Sequence, residues 1–276
     1  MTPFVTSSLP TALPRPSTLP RRLAAIGLPL ALLASTTLPA RAGLPEVVLG
    51  AKPAVVAVGL YNALSSPRFT FRGTGFAVAD GRLLITNFHV LPETTAELQQ
   101  LTLQIGGNRA GGRDAAPETR QLTVLQTDKV HDLALLQLSG EPLPVLALDA
   151  AGAAREGQSV AFIGFPIGSV LGFSPVTHRA IISSITPFVL PPANARQLDA
   201  AAVARLRQGI FDILQLDGTA YPGNSGGPVL DADSGKVVGV VNMVLVKGSR
   251  ESALSSPTGI SYAIPVRWVR ELLDKR

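Results

Sequence analysis

The sequence predicts an all-β fold, two packed small barrels followed by a C-terminal helix. Three observations predict it. Short runs rich in Val, Ile, Leu and Phe recur along the chain, each bounded by Gly, Pro, Asn or Asp. Glycine and proline number 26 and 23 of 276 residues, which suits many short strands joined by turns. The runs fall into two groups either side of a composition shift near residue 150, and the last eleven residues change to a helical period.

In order, "AVVAVGLY" (54–61) is a β-branched run, and "GTGFAVADGRLLITN" (73–87) reads as a hairpin turning at Asp80-Gly81. "LTLQI" (101–105) alternates, 106–118 is polar and Gly-rich, and "QLTVLQTD" and "DLALLQL" (132–138) are strands. Residues 141–158 read as a linker. The second group comprises 159–166, 179–190, 211–217, 228–246 and 259–265. "VRWVRELLDKR" (266–276) spaces Val266, Val269, Leu272 and Leu273 along one helical face and predicts a packing helix. Residues 192–209 carry Ala and Leu at helical spacing behind Asp199, a candidate N-cap, and predict a short inserted helix. The expected units are 43–150, an N-terminal barrel, and 151–276, a C-terminal barrel with its helix.

The first 42 residues read as a signal peptide. Arg21 and Arg22 precede an apolar run from Leu23 to about Leu33 that is short and broken by Pro29. Ala40-Arg41-Ala42 is a small-x-small cleavage site, so the expectation is an exported protein, periplasmic or secreted and bacterial, with no stable membrane span after cleavage. Export without cysteine fits a periplasm.

Composition excludes several chemistries. With no cysteine there is no disulfide framework, thiol nucleophile or thiolate metal site. His89, His131 and His178 are the only histidines, which argues against a His-rich metal site. The leader holds four arginines and no acid. Without it, 20 basic residues face 19 acidic ones, so the body is nearly neutral and carries no nucleic-acid footprint.

One short stretch carries chemistry. In "AYPGNSGGPVL" (220–230), Ser225 lies in a G-x-S-x-G pattern, which fits the nucleophile elbow of α/β-hydrolases, the nucleophile loop of trypsin-like proteases, or a plain glycine-rich turn. A serine hydroxyl needs a histidine to take its proton and a carboxylate to orient that histidine. In α/β-hydrolases the histidine follows the serine, and none follows Ser225. The order His, Asp, Ser is available instead: "ITNFHV" supplies His89 and "DKVHDLALLQL" supplies Asp132. His131, next to Asp132, is expected to face solvent by strand alternation. His178 is expected at a loop or strand end. Asp128 is the rival acid, placed before the apolar run rather than opening it.

"GTGFAV…LLITNFHV", "DLALLQL", "LDGTAYPGNSGGPVL" and "GISYAIP" occur together and in order. They resemble the trypsin-like serine proteases, in particular the HtrA/Deg branch, over residues 54 to 270. The resemblance implies a chymotrypsin-like fold of two six-stranded barrels with the site in the cleft between them. It implies a serine endopeptidase acting on unfolded or misfolded proteins through an acyl-enzyme. Ser225 would be the nucleophile, His89 the base and Asp132 the orienting acid, with Gly223 and Ser225 N–H groups as the oxyanion hole. The same resemblance assigns Thr219, Ala220, Asn242, Met243, Val244, Gly259 and Ile260 to substrate binding, and Asp217 to structural support. No acid stands at the Thr219 position, so an apolar pocket accepting small or medium aliphatic residues is expected.

The partners implied are protein or peptide substrates and a homo-oligomer, with no metal or organic cofactor, since the triad needs none. Asn224, neutral where digestive zymogens resemble the pattern with Asp, implies no activation by N-terminal trimming. Set against the resembled family, the expectation is a protease unit without a PDZ domain, and 192–209 falls where the family carries a signal-sensing loop. The alternative reading is a catalytically latent, chaperone-like binder on the same fold.

Overall fold

The structure is a computed structural model and describes residues 43–106, 117–150, 154–166, 168, 173–188, 211–242 and 259–276. The leader, the 192–209 segment, Met243 and Val244 lie outside the described residues.

Among the described residues, twelve strands form two closed antiparallel barrels. The first contains β1 (Val55–Tyr61), β2 (Phe69–Val78), β3 (Leu83–Asn87), β4 (Leu101–Ile105), β5 (Glu118–Asp128) and β6 (Leu133–Leu138), in the order β1-β2-β3-β6-β5-β4. The second contains β7 (Ser159–Gly164), β8 (Val176–Phe188), β9 (Phe211–Asp217), β10 (Pro228–Asp231), β11 (Val237–Asn242) and β12 (Ile260–Pro265). Its order, β7-β8-β9-β12-β11-β10, repeats that of the first, so both halves share one topology although no sequence repeat is visible. Closure leaves neither barrel with a free sheet edge.

Each barrel has its own core. Val56, Val58, Leu84, Leu103, Leu122 and Leu136 fill the first, and Val160, Phe162, Ile182, Leu214, Leu216 and Val241 the second. Alternating positions of the same strands point the other way and make a third core between the barrels. Phe76, Ile85, Leu133 and Leu135 there meet Ile163, Leu230, Val240 and Ile264. Period-2 alternation thus fills two interiors and one interface from a single set of strands.

Two helices cap this interface. Val266, Val269 and Leu272 of the C-terminal helix are buried in it, at the spacing the sequence predicted. A helix over Leu44–Ala51, absent from the sequence reading, buries Val47 and Ala51 in the same core. A four-residue helix, Thr95–Leu98, is also new; Thr94 caps it by accepting from Glu97 N–H at 3.2 Å. The part of the expected linker that precedes residue 150 is packed. Leu143 and Leu146 N–H bond to Gly81 and Ala77 of the first barrel, and Asp149 N–H bonds to Val237 of the second.

Strand β2 starts at Phe69, four residues earlier than the pattern suggested, because it continues past a bulge at Val58/Gly59 to pair with Tyr61. Strand β6 starts at Leu133 rather than Asp132, which takes a left-handed φ of 52°. That shift matters for the site.

Candidate active site

His89 sits in a 3-10 turn, Phe88–Val90, that follows β3. Several contacts fix this turn. The fork of Arg72 on β2 donates to the carbonyls of Val90 and Leu91 at 2.6 and 2.8 Å. Phe88 N–H and the buried Asn87 side-chain amide both donate to the main-chain oxygen of Asp132, each at 3.0 Å.

The Asp132 carboxylate faces the same turn. Its Oδ1 accepts from His89 N–H at 2.9 Å, and its Oδ2 from His89 Nδ1 at 2.6 Å. A carboxylate accepts only, so the proton lies on Nδ1 and Nε2 is left as the basic nitrogen. Asn242, at the end of β11, donates its amide to the same Oδ2 at 2.6 Å. The Asp132 side chain is 11% exposed and the His89 ring 27%, so the acid is shielded while the ring reaches the surface of the cleft. Left-handed φ is tolerated by Asp better than by bulkier residues, and such strain concentrates at functional positions.

Ser225 sits in a loop made of two successive turns. Asn224 N–H bonds to Tyr221 O at 2.9 Å, and Gly227 N–H to Asn224 O at 3.0 Å. The third residues are Gly223 and Gly226, with φ of +103° and +85°. Only glycine takes that region without cost, and Pro222 presets the second position of the first turn. The loop is pinned on both sides. Gly226 N–H and Val241 N–H tie it to β11 through Val241 O and Gly227 O. Thr74 of β2 reaches it from the other barrel, its N–H donating to Ser225 O at 2.8 Å. Gly73 lies between Val90, beside His89, and Ser225 O, within about 3 Å of each at the position its Cβ would take. The Ser225 loop, the His89 turn and the Asn242 end of β11 therefore adjoin.

The other histidines have different surroundings. His131 does not face solvent, contrary to the alternation argument. Residues 129–132 form a turn before β6, where alternation does not apply. The His131 ring stacks on Trp268 of the C-terminal helix at 3.7 Å, edges Phe211 at 4.8 Å, and bonds through Nδ1 to Asp128 Oδ2 at 2.6 Å. Asp128 thus has its own histidine. Burial alone would raise its carboxyl, but hydrogen bonds from the His131 ring and backbone and from Val130 N–H hold it below the ordinary carboxylate value. His178 lies near the start of β8, stacked on Phe162 at 4.7 Å, with Nε2 3.4 Å from the Asn224 amide nitrogen. Burial pushes its pKa down.

Of the residues expected to bind substrate, Thr219 is half-buried, Ala220 buried, Gly259 half-buried and Ile260 exposed. The buried Asn242 has its amide on Asp132, so it also serves the acid. Ser261, not singled out in the sequence, bridges this wall: its hydroxyl donates to Gly218 O at 2.6 Å and accepts from Ala220 N–H at 2.7 Å. The "GISYAIP" motif held that signal without saying which way Ser261 points. Asp217 is exposed at the end of β9. Among the described residues no cluster of three or more His, Cys, Asp or Glu could hold a metal ion, and no helix is long and apolar enough to cross a membrane.

Comparison with known proteins agrees with this layout. Residues 73–240 match the trypsin-like peptidase domain family. The chain is 28% identical over 243 residues to serine protease HTRA3 of Homo sapiens, covering 84% of this chain and 45% of that one. It is 28% identical to a probable periplasmic serine endoprotease DegP-like of Rickettsia prowazekii, covering 80% and 36%, and 26% identical to the mitochondrial serine protease HTRA2 of Drosophila pseudoobscura pseudoobscura, covering 83% and 46%. The chain therefore spans less than half the length of these relatives. Among solved structures, a serine endoprotease from Yersinia pestis superposes with a TM-score of 0.58 at 23% identity, over 85% of this chain and 66% of that one. The HtrA-type protease AlgW with tripeptide gives 0.57 at 24%, over 84% and 63%. The chain belongs to the trypsin-like peptidase domain family, and these relatives within it are of the HtrA type.

Proposed function

We propose that this protein is a serine endopeptidase that cleaves unfolded proteins through an acyl-enzyme. The observation that carries the reading is the His89 Nδ1–Asp132 Oδ2 bond of 2.6 Å, set in a turn that adjoins the Ser225 loop. Ser225 Oγ attacks the scissile carbonyl while His89 Nε2 takes its proton. His89 then returns the proton to the leaving amine, and water repeats the cycle to release the acyl group. Asp132 keeps the ring in the Nδ1–H tautomer and stabilises the imidazolium. The N–H groups of Gly223 and Ser225 receive the oxyanion, where one such donor is worth about 2.7–4 kcal/mol. No cofactor enters this cycle.

Cleavage follows small or medium aliphatic residues, such as Val, Ala, Leu or Ile. Support comes from the wall at Thr219 and Ala220, which brings no carboxylate to offset a buried Lys or Arg. The protein acts after export, a part of the reading that rests on the leader sequence and on the relative named periplasmic, and as a homo-oligomer, as the HtrA resemblance implies.

The test is incubation of the Gly43–Arg276 protein with unfolded casein beside Ser225→Ala. Cleavage by the wild type alone supports the reading. A wild type that leaves casein intact contradicts endopeptidase action and favours the latent, binding alternative.

A further inference from the structure

Gly223 carries half of the proposed oxyanion hole, yet nothing in its own side chain can hold it there. Glycine populates both signs of φ freely, so the +103° conformation has to be imposed from outside. The source of that constraint lies on the opposite barrel. Thr74 of β2 is fully buried, and its hydroxyl donates to Gly223 O at 2.6 Å. The same hydroxyl accepts from Phe165 N–H at 3.2 Å, which ties in the segment after β7. Thr74 N–H donates to Ser225 O at 2.8 Å, and Thr74 O accepts from Thr86 Oγ1 at 2.7 Å.

One residue thus holds the carbonyls of both residues whose N–H groups are assigned to the oxyanion, and its own position is fixed by β3. The packing permits no slack. A Cβ on Gly223 would stand 2.3 Å from Phe165 O, and one on Gly226 would stand 2.1 Å from Thr74 O. The loop therefore lies directly on the Thr74 backbone.

We infer that Thr74 is a positioning residue for catalysis: its hydroxyl, from the N-terminal barrel, pins the Gly223 carbonyl, in the peptide that joins Gly223 to Asn224, and so fixes the chain between the two N–H groups assigned to the oxyanion hole. The inference rests on the proposed endopeptidase reading. It gives the cleft a mechanical link as well, since a movement of one barrel against the other would reach the Ser225 loop through the Thr74 hydroxyl and the Thr74 N–H. Valine cannot substitute, because a methyl in place of the hydroxyl would stand at hydrogen-bond distance from a carbonyl oxygen it cannot bond.

The experiment compares Thr74→Ser with Thr74→Ala, a pair that differs by the hydroxyl alone, on a peptide substrate with melting temperatures recorded beside the kinetics. A group acting only in the transition state changes kcat and not KM. The expected result is that Thr74→Ala loses about tenfold or more in kcat with KM within about twofold, while Thr74→Ser retains the wild-type kcat within about threefold. Equal kcat for the two variants overturns the inference. So does a loss expressed wholly in KM.

The readings fail separately. If the wild type neither cleaves peptide nor reacts with a fluorophosphonate, the endopeptidase reading fails. Thr74 is then judged by amide hydrogen exchange over residues 221–227. Faster exchange in Thr74→Ala than in Thr74→Ser supports the latch, and equal exchange overturns it.

Discussion

Asn242 donates to the same oxygen of Asp132 that receives the His89 ring N–H, both at 2.6 Å. Asn242 stands at the end of β11 in the second barrel, and Asp132 and His89 belong to the first. The acid of the proposed triad is thus held from both sides of the cleft, by a charge-assisted bond worth about 1.5–3 kcal/mol. Removing it leaves the carboxylate short of a donor and less able to keep the ring aligned. Asn242→Ala is expected to lower kcat/KM about 10- to 100-fold if that energy is expressed in the transition state. Steady-state kinetics on a peptide substrate check it, and unchanged kinetics would show the bond to be incidental.

The second His–Asp pair is expected to act on stability, not turnover. His131 bonds to Asp128 and stacks on Trp268, joining the turn before β6 to the C-terminal helix. His131→Ala should cost about 1–3 kcal/mol of unfolding free energy and leave kcat per folded molecule nearly unchanged. His89→Ala should do the reverse. Urea unfolding and active-site titration of the two variants separate the roles. The Asp128 contribution is complete above about pH 3.8, its ordinary pKa, and is lost as pH falls through its lower folded value.

His178 gives a pH dependence of opposite origin. Its folded pKa is held below 6.5 by burial, with Phe162, Tyr221 and the Asn224 amide against the ring. Above pH 6.5 the ring is neutral in both states. As pH falls below 6.5, the unfolded chain takes up a proton that the folded ring resists, so stability falls until the folded pKa is reached. Wild type should therefore lose more stability than His178→Gln between pH 7.5 and 5. Parallel denaturation curves across that range would refute this.

Gly226→Ala is expected to be among the most damaging single substitutions in the chain. It demands a left-handed φ of +85° and places a methyl against Thr74 O and Thr86 Oγ1. Strain and overpacking together should cost about 2–5 kcal/mol, read as a drop in the urea midpoint with an unchanged m-value.

Much of the fold was legible because period-2 alternation and turn residues carry it. The turn at Asp80-Gly81, strand β4 and the C-terminal helix stand within a residue or two of where the pattern put them. The Leu44–Ala51 helix was missed because only Val47 and Ala51 of its short face are buried, against an exposed Leu49. The proposed triad came from the order His89, Asp132, Ser225 together with the four linked motifs that resemble the HtrA branch. The surroundings were not readable. His131 was misplaced because alternation was applied to a turn. The parts played by Asn242 and Thr74 depend on which barrel faces which, and that of Ser261 on where its hydroxyl points within the second barrel, and no local pattern encodes either.

The most direct measurement is the site and rate of modification by a fluorophosphonate, read by mass spectrometry on the intact protein and its peptides. The account predicts a single adduct on Ser225, formed rapidly in the wild type and slowed at least a thousandfold, on the order of 10³, in His89→Ala, because the hydroxyl then has no base. Modification at another residue, or equal rates in wild type and His89→Ala, would contradict it.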